Sequence, residues 1–280
     1  MSAITTDEII SVFVNGHQII DMSQDMHAGM PTSPNHPGFR LGYLRRHGDM
    51  VRPDGGSASN ELLVTGGHVG THVDALAHVS HEGFLHGGVR VEDAFRNGRF
   101  QTHGIDKMEP VLARGLFLDI PRAHGVTTLE AGQPIEVSDL EAACALIDAE
   151  PQPGDAVIIR TGWGQHFEGD HSKYLGQVLG VPGPTAPAAQ WLANRKICIT
   201  GADSTAYEHI PAGKGHSVLP AHKVLLVDSG INIIEHMNLE PASELQLGKF
   251  LFILAPLKIL GGTGSPARPL AVIGEPETTS

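Results

Sequence analysis

The sequence predicts a mixed α/β fold, and three observations support this prediction. Short runs rich in β-branched and other apolar residues recur along the chain, and helical patterns separate some of them. No internal repeat or low-complexity linker divides the 280 residues, so we expect a single domain over residues 1–280. Hydrophobic residues make up 41% and charged residues 18% of the chain, which is typical of a folded globular protein.

The first predicted element is a helix over residues 5–14, because Thr5 is a suitable N-cap and Glu8 follows three residues later. Asn15-Gly16 either ends this helix or turns a hairpin into the next segment. Residues 26–54 carry several Pro and Gly, and we interpret them as a long loop that serves as a lid or a subunit contact.

Two helices and six strands are predicted beyond this loop. A helix is expected over residues 138–150, where Ser138 precedes Glu141 by three residues, and another over residues 185–194. The frequent Gly and Pro imply many turns, so a plain doubly wound sheet is not assured. The predicted strands cover residues 61–65, 116–120, 156–160, 197–200, 224–228 and 250–254.

Charge and hydropathy narrow the class of function. The formal net charge of −12, without a dense Lys/Arg run, argues against nucleic-acid binding. The N-terminal residues lack the basic and apolar regions of a secretory signal, and the apolar run over residues 250–260 is interrupted by Pro256 and Lys258. We therefore expect a cytoplasmic protein that acts on a small molecule and binds no membrane.

Residues 66–78 contain the most informative pattern, in which His68, His72 and Asp74 lie within a glycine-rich stretch. Histidines four residues apart share a helix face in metalloproteases, but that motif requires a glutamate where this chain has Val69. The glycines and β-branched residues favour instead a turn followed by an extended segment. His72 and Asp74 then point to one side, and the flexible Gly70 can bring His68 towards them.

Two imidazoles and one carboxylate can bind a divalent ion such as Zn²⁺ or Mn²⁺. Three protein ligands leave coordination positions open for water and substrate, which is typical of a catalytic rather than a structural site. The alternative is a coincidental spacing, since the chain contains 17 histidines.

Residues 68–78, HVGTHVDALAH, resemble the HxGTHxDxxxH signature of the cyclase family of metal hydrolases, which includes bacterial kynurenine formamidase and isatin hydrolase. Residues 21–31, 155–163, 188–204 and 221–239 are similar to further elements of that family, in the same order. One departure is Leu76, where many members have proline. The resemblance implies a swivelling β/β/α fold with a mixed sheet and assembly into a homodimer or homotetramer.

The resemblance also implies a ligand set. His68, His72 and Asp74 match the ligands of a first metal ion, and Asp74, His222 and Glu235 match those of a second. Some family members use one ion, in which case His222 and Glu235 would contact substrate or water. Read without the family, Glu235 lies among apolar residues and could instead be a salt-bridged core glutamate.

His78 ends the signature and is the candidate general base or acid, because imidazole titrates near neutral pH. The alternative is that His78 only orients one of the metal ligands.

The implied activity is hydrolysis of an amide C–N bond by a metal-activated water, as in an arylformamidase that converts N-formylkynurenine to kynurenine and formate. Three alternatives remain open: hydrolysis of a cyclic amide or lactone such as isatin, a ring-forming dehydration, and a non-catalytic metal-binding protein. The chain has no G-x-S-x-G motif, which disfavours a serine hydrolase mechanism.

Overall fold

A computed structural model describes residues 6, 10 and 16–274. The strands are β1 (His17–Asp21), β2 (Arg40–Arg45), β3 (Asn60–Val64), β4 (His72–Asp74), β5 (Phe84–Leu85), β6 (Val89–Arg90), β7 (Phe95–Arg96), β8 (Arg99–Phe100), β9 (Val111–Asp119), β10 (Pro134–Ile135), β11 (Ala156–Arg160), β12 (Gly183–Pro184), β13 (Ile199–Ala202), β14 (Asn232–Glu235), β15 (Lys249–Leu254), β16 (Gly264–Pro266) and β17 (Leu270–Gly274). The α-helices are α1 (Val91–Ala94), α2 (Ile120–His124), α3 (Val137–Leu146), α4 (His171–Leu175), α5 (Ala186–Asn194), α6 (Pro220–His222) and α7 (Glu240–Glu244).

A nine-stranded mixed sheet organises the fold, with the strand order β1-β17-β15-β9-β11-β13-β14-β4-β16. Strands β9, β11, β13 and β14 are parallel neighbours at its centre, and antiparallel strands extend it on both sides. All five residues of β11 are buried, as expected for a strand covered on both faces.

Two hydrophobic clusters cover the two faces of the sheet. Leu118, Ile159 and Ile233 point to one face, where they pack with residues of α3, α5 and α6. Their neighbours Phe117 and Ile158 point to the other face. This alternation fixes the face to which each residue of the central strands contributes.

The mixed α/β prediction is confirmed, and most predicted strands overlap observed ones. The strand predicted over residues 224–228 is wrong, because Lys223–Ser229 form a π-helix that continues from α6 and buries Leu225 and Leu226 in the first cluster. A short apolar run does not distinguish a strand from a buried helix. The helix predicted over residues 5–14 falls, apart from residues 6 and 10, outside the described residues.

The predicted helix over residues 138–150 is shorter and starts earlier than expected. Helix α3 is capped by Glu136 rather than Ser138, and the Asp139 carboxylate accepts a hydrogen bond from the Glu136 amide. The chain leaves the helix after Leu146, and Asp148 adopts a positive φ of 46°.

Strands β2 and β3 form a separate antiparallel ribbon with no residue of either strand buried. Its exposed side chains include the apolar Leu41, Tyr43 and Leu63. A two-stranded ribbon on its own is only marginally stable in water. Among the described residues, no helix has both the length and the apolar character needed to cross a bilayer.

Candidate metal centre

Three of the predicted ligands lie on two neighbouring strands. Strand β4 carries His72 and Asp74 two residues apart, so both side chains lie on one face of the sheet. Strand β14 pairs antiparallel with β4 and places Glu235 directly opposite His72. All three residues are buried, which brings two carboxylates and an imidazole together away from bulk water.

His68 reaches this group from the turn before β4. Gly70 adopts a φ of +65°, which reverses the chain between His68 and His72. Gly264 leaves the room that the ring needs, since a Cβ at that position would lie 2.5 Å from His68. The His68 Nδ1–H donates to Asp74 Oδ1 at 2.7 Å. Binding an ion through Nδ1 therefore requires the loss of this proton or its transfer to Nε2.

His222 is contributed by α6. Its Nε2 lies 3.1 Å from Glu235 Oε1 and 3.5 Å from Asp74 Oδ2. Its Nδ1–H donates to Glu208 Oε1 at 2.6 Å. The Glu208 carboxylate also accepts hydrogen bonds from the backbone N–H groups of Ala221 and His222, at 2.9 Å each. Glu208 thereby fixes the ring so that Nε2 points towards the two carboxylates.

His72 is held in the same way by the backbone. Its Nδ1–H donates to the Gly70 carbonyl at 2.8 Å. Its Nε2 lies 3.4 Å from Asp74 Oδ1 and 3.6 Å from Glu235 Oε2. Asp74 and Glu235 thus each present one oxygen to His72 and the other to His222.

The donor set fits a divalent ion. The Asp74 Oδ2 atom is buried and has no hydrogen-bond partner among the described residues. Burial is the largest single influence on the pKa of Asp74 and acts to raise it. The neighbouring imidazoles together outweigh burial and hold this pKa well below its usual range. An ionised carboxylate with an unsatisfied buried oxygen, facing two imidazole Nε2 atoms, is a suitable ligand set for such an ion.

Nitrogen and oxygen atoms close enough to share an ion form three groups among the described residues. The predicted trio of His68, His72 and Asp74 is divided between these groups, whereas the predicted trio of Asp74, His222 and Glu235 forms one of them. The groups are His68, Asp74 and His78; His72, Glu235 and His236; and Asp74, His222 and Glu235.

His78 lies beside the predicted ligands and stacks on His68, with ring centroids 3.9 Å apart and an interplanar angle of 27°. Burial lowers the pKa of His78 to about 4, against the raising effect of Asp74. The ring is therefore neutral at pH 7 and able to accept a proton.

A cavity of about 200 Å³, here called the site cavity, opens onto the imidazoles of His68, His72, His78 and His222 and onto Glu235. Several other residues of this site are not among the predicted site residues. Glu208 contacts His222, and the site cavity is also lined by Ser33, Asn35, His36, Thr205, His216 and His236.

Two sequence signals pointed towards these residues. His36 lies in the loop predicted over residues 26–54, and His236 directly follows Glu235. The His236 Nδ1 atom lies 2.9 Å from the hydroxyl of Tyr174, so this ring is also anchored. No local spacing indicated Glu208.

A family model described as "Putative cyclase" matches residues 20–209. This segment contains His68, His72, Asp74, His78 and Glu208, whereas His222 and Glu235 follow it. The isatin hydrolase of Roseibium aggregatum is 33% identical over 139 residues, and the alignment spans 49% of this chain and 51% of that relative. The kynurenine formamidase of Sphingopyxis alaskensis is 22% identical over 253 residues, which span 90% of this chain and 97% of that protein.

Solved structures share the fold. A crystal structure described as a novel cyclase has a TM-score of 0.81 at 26% identity, with 96% of this chain and 93% of that chain covered. An isatin hydrolase bound to the product analogue thioisatinate has a TM-score of 0.74 at 22% identity, with 97% of this chain and all of that chain covered.

Proposed function

We propose that this chain, which belongs to the putative cyclase family, is a metal-dependent hydrolase that cleaves an amide C–N bond. The observation that carries the proposal is the convergence of the His72 and His222 Nε2 atoms on Asp74 and Glu235 around a buried, unpartnered carboxylate oxygen.

His68, His72 and Asp74 would hold one divalent ion, and Asp74, His222 and Glu235 would hold a second. Zn²⁺ and Mn²⁺ both accept imidazole and carboxylate ligands. When bound, such an ion polarises a carbonyl oxygen and lowers the pKa of water.

His78 would transfer the protons of the reaction. As a neutral imidazole beside the ligands, it takes a proton from the attacking water and gives one to the departing nitrogen. The C–N bond breaks, the amine leaves in neutral form, and the water oxygen remains on the acyl carbon as a carboxylic acid.

We assign an aryl formamide as the substrate, with N-formylkynurenine and water giving kynurenine and formate. The formamidase from Sphingopyxis, which aligns along nearly its full length, supports this substrate. The more similar but shorter match to an isatin hydrolase supports a cyclic amide as the second candidate.

The test is an assay of N-formylkynurenine hydrolysis by protein reconstituted with Zn²⁺ or Mn²⁺. The absorbance of the kynurenine that forms measures the turnover, and isatin is assayed in parallel. We expect turnover that is lost on chelation and restored by the ion. If the protein hydrolyses isatin but not N-formylkynurenine, the assigned substrate changes from an aryl formamide to a cyclic amide. Turnover that survives complete metal removal would contradict the proposal.

We also propose that the protein assembles as a homodimer or homotetramer through the ribbon of β2 and β3. Burial of exposed Leu41, Tyr43 and Leu63 against a second copy would stabilise a ribbon that has no buried residue in one chain. Light scattering should give a mass of two or four chains, and Leu63→Glu should reduce it. The matched control is Leu146→Glu, at a similarly exposed leucine on α3. A wild-type monomer would contradict the proposal.

A further inference from the structure

The site cavity adjoins a second and larger cavity of about 350 Å³, here called the outer cavity. Ser33, Asn35 and His216 line both cavities and therefore form the boundary between them. Pockets for small molecules usually measure about 300–1,000 Å³. The site cavity alone falls below this range, so a substrate of ordinary size must extend into a neighbouring space.

The outer cavity has a cationic character that contrasts with the chain as a whole. Of the nine described residues that line it, Lys214 is the only Lys, Arg, Asp or Glu. Within the described part of the chain, no carboxylate forms a salt bridge with Lys214. In a protein with a net charge of −12, the Lys214 ammonium in the lining of the outer cavity thus has no carboxylate partner among the described residues.

The remaining lining residues of the outer cavity are suited to contact an anionic group and the atoms next to it. Ser33, Asn35 and Gln177 supply hydroxyl and amide donors, while Pro34 and Leu175 supply apolar surface. Donors around one cation, without a competing carboxylate, are the chemistry that recognises a carboxylate group.

We infer that the outer cavity binds a carboxylate of the substrate through Lys214, while the scissile bond lies in the site cavity beside His72 and His222. The identity of the scissile bond rests on the proposed function. Ser33, Asn35 and His216 then contact the middle of the substrate. A neutral cyclic amide has no carboxylate for Lys214 to bind, so the enzyme favours an open-chain amide that carries a carboxylate remote from the scissile bond.

The test compares two substrates with the same aryl formamide bond. N-formylkynurenine carries a carboxylate, and N-(2-acetylphenyl)formamide lacks it. We expect Lys214→Met to reduce the ratio of their kcat/KM values about two- to fivefold, within the range of an exposed ion pair, mainly by raising KM for N-formylkynurenine. Lys214→Arg should restore most of the ratio, and Lys258→Met, at an exposed lysine that lines neither cavity, should leave it unchanged.

A binding measurement separates this inference from the proposed function. Calorimetry with 3-benzoylpropanoate, a carboxylate that contains no amide bond, should show weaker binding to Lys214→Met than to the wild type by about the same factor. If Lys214→Met hydrolyses both formamides with the wild-type ratio of kcat/KM values, the role of Lys214 is overturned and the proposed hydrolase activity stands. Loss of affinity in the variant without hydrolysis by the wild type would overturn the proposed function and retain the carboxylate site.

Discussion

The His78→Ala variant is expected to lose at least about 100-fold in kcat, because general acid–base catalysis by one side chain typically contributes 10²–10⁴-fold. His78 lies against His68, and burial keeps its imidazole neutral at pH 7. Alanine removes the only group that we assign to proton transfer. The metal content of the purified variant should equal that of the wild type, since our proposed ligand sets do not include His78.

The metal content decides between the two roles of His78. His78 belongs to a group with His68 and Asp74 whose atoms are close enough to share an ion, so a metal-free variant would make it a ligand and contradict our assignment. His81→Ala is the matched control, because this ring is exposed three residues further along the chain. It should retain both turnover and metal.

Glu208→Ala is expected to weaken metal binding about 10- to 100-fold, as is typical when the hydrogen-bond partner of a ligating histidine is lost. Without the carboxylate, the Nδ1–H of His222 and two backbone amides lose their acceptor. The ring can then rotate or change tautomer, and Nε2 no longer points to Asp74 and Glu235. Competition with a chelating dye would measure the affinity, and a thermal melt would report any loss of stability.

Glu240→Gln distinguishes this positioning effect from a general loss of stability. Glu240 pairs with the buried Arg160 at 2.8 Å and contacts none of the proposed ligands. We expect this variant to lower the melting temperature while the metal affinity stays unchanged. Equal affinities for wild type and Glu208→Ala would contradict the role of Glu208.

The local part of the site could be predicted from the sequence. His72 and Asp74 lie two residues apart, and β-branched neighbours with flanking glycines favour an extended segment after a turn. The structure shows that arrangement, with a positive φ at Gly70 and His68 brought back to Asp74. Period-two geometry and glycine conformations are local properties, so a short stretch of sequence carries them.

The distant part of the site could not be predicted from spacing. Asp74 and Glu235 lie on neighbouring strands only because β14 pairs antiparallel with β4, and residue types alone do not encode this pairing. His222 and Glu235 were identified through the family resemblance. Glu208 was missed, because its contact with His222 depends on how α6 packs and leaves no spacing pattern.

Metal analysis of the purified protein tests the central claim most directly. After reconstitution with Zn²⁺ or Mn²⁺ and removal of the excess, we expect one or two equivalents of transition metal per chain, held by the proposed His, Asp and Glu ligands. A content below about half an equivalent of any transition metal, even after reconstitution, would contradict the claim that the protein binds a divalent metal ion.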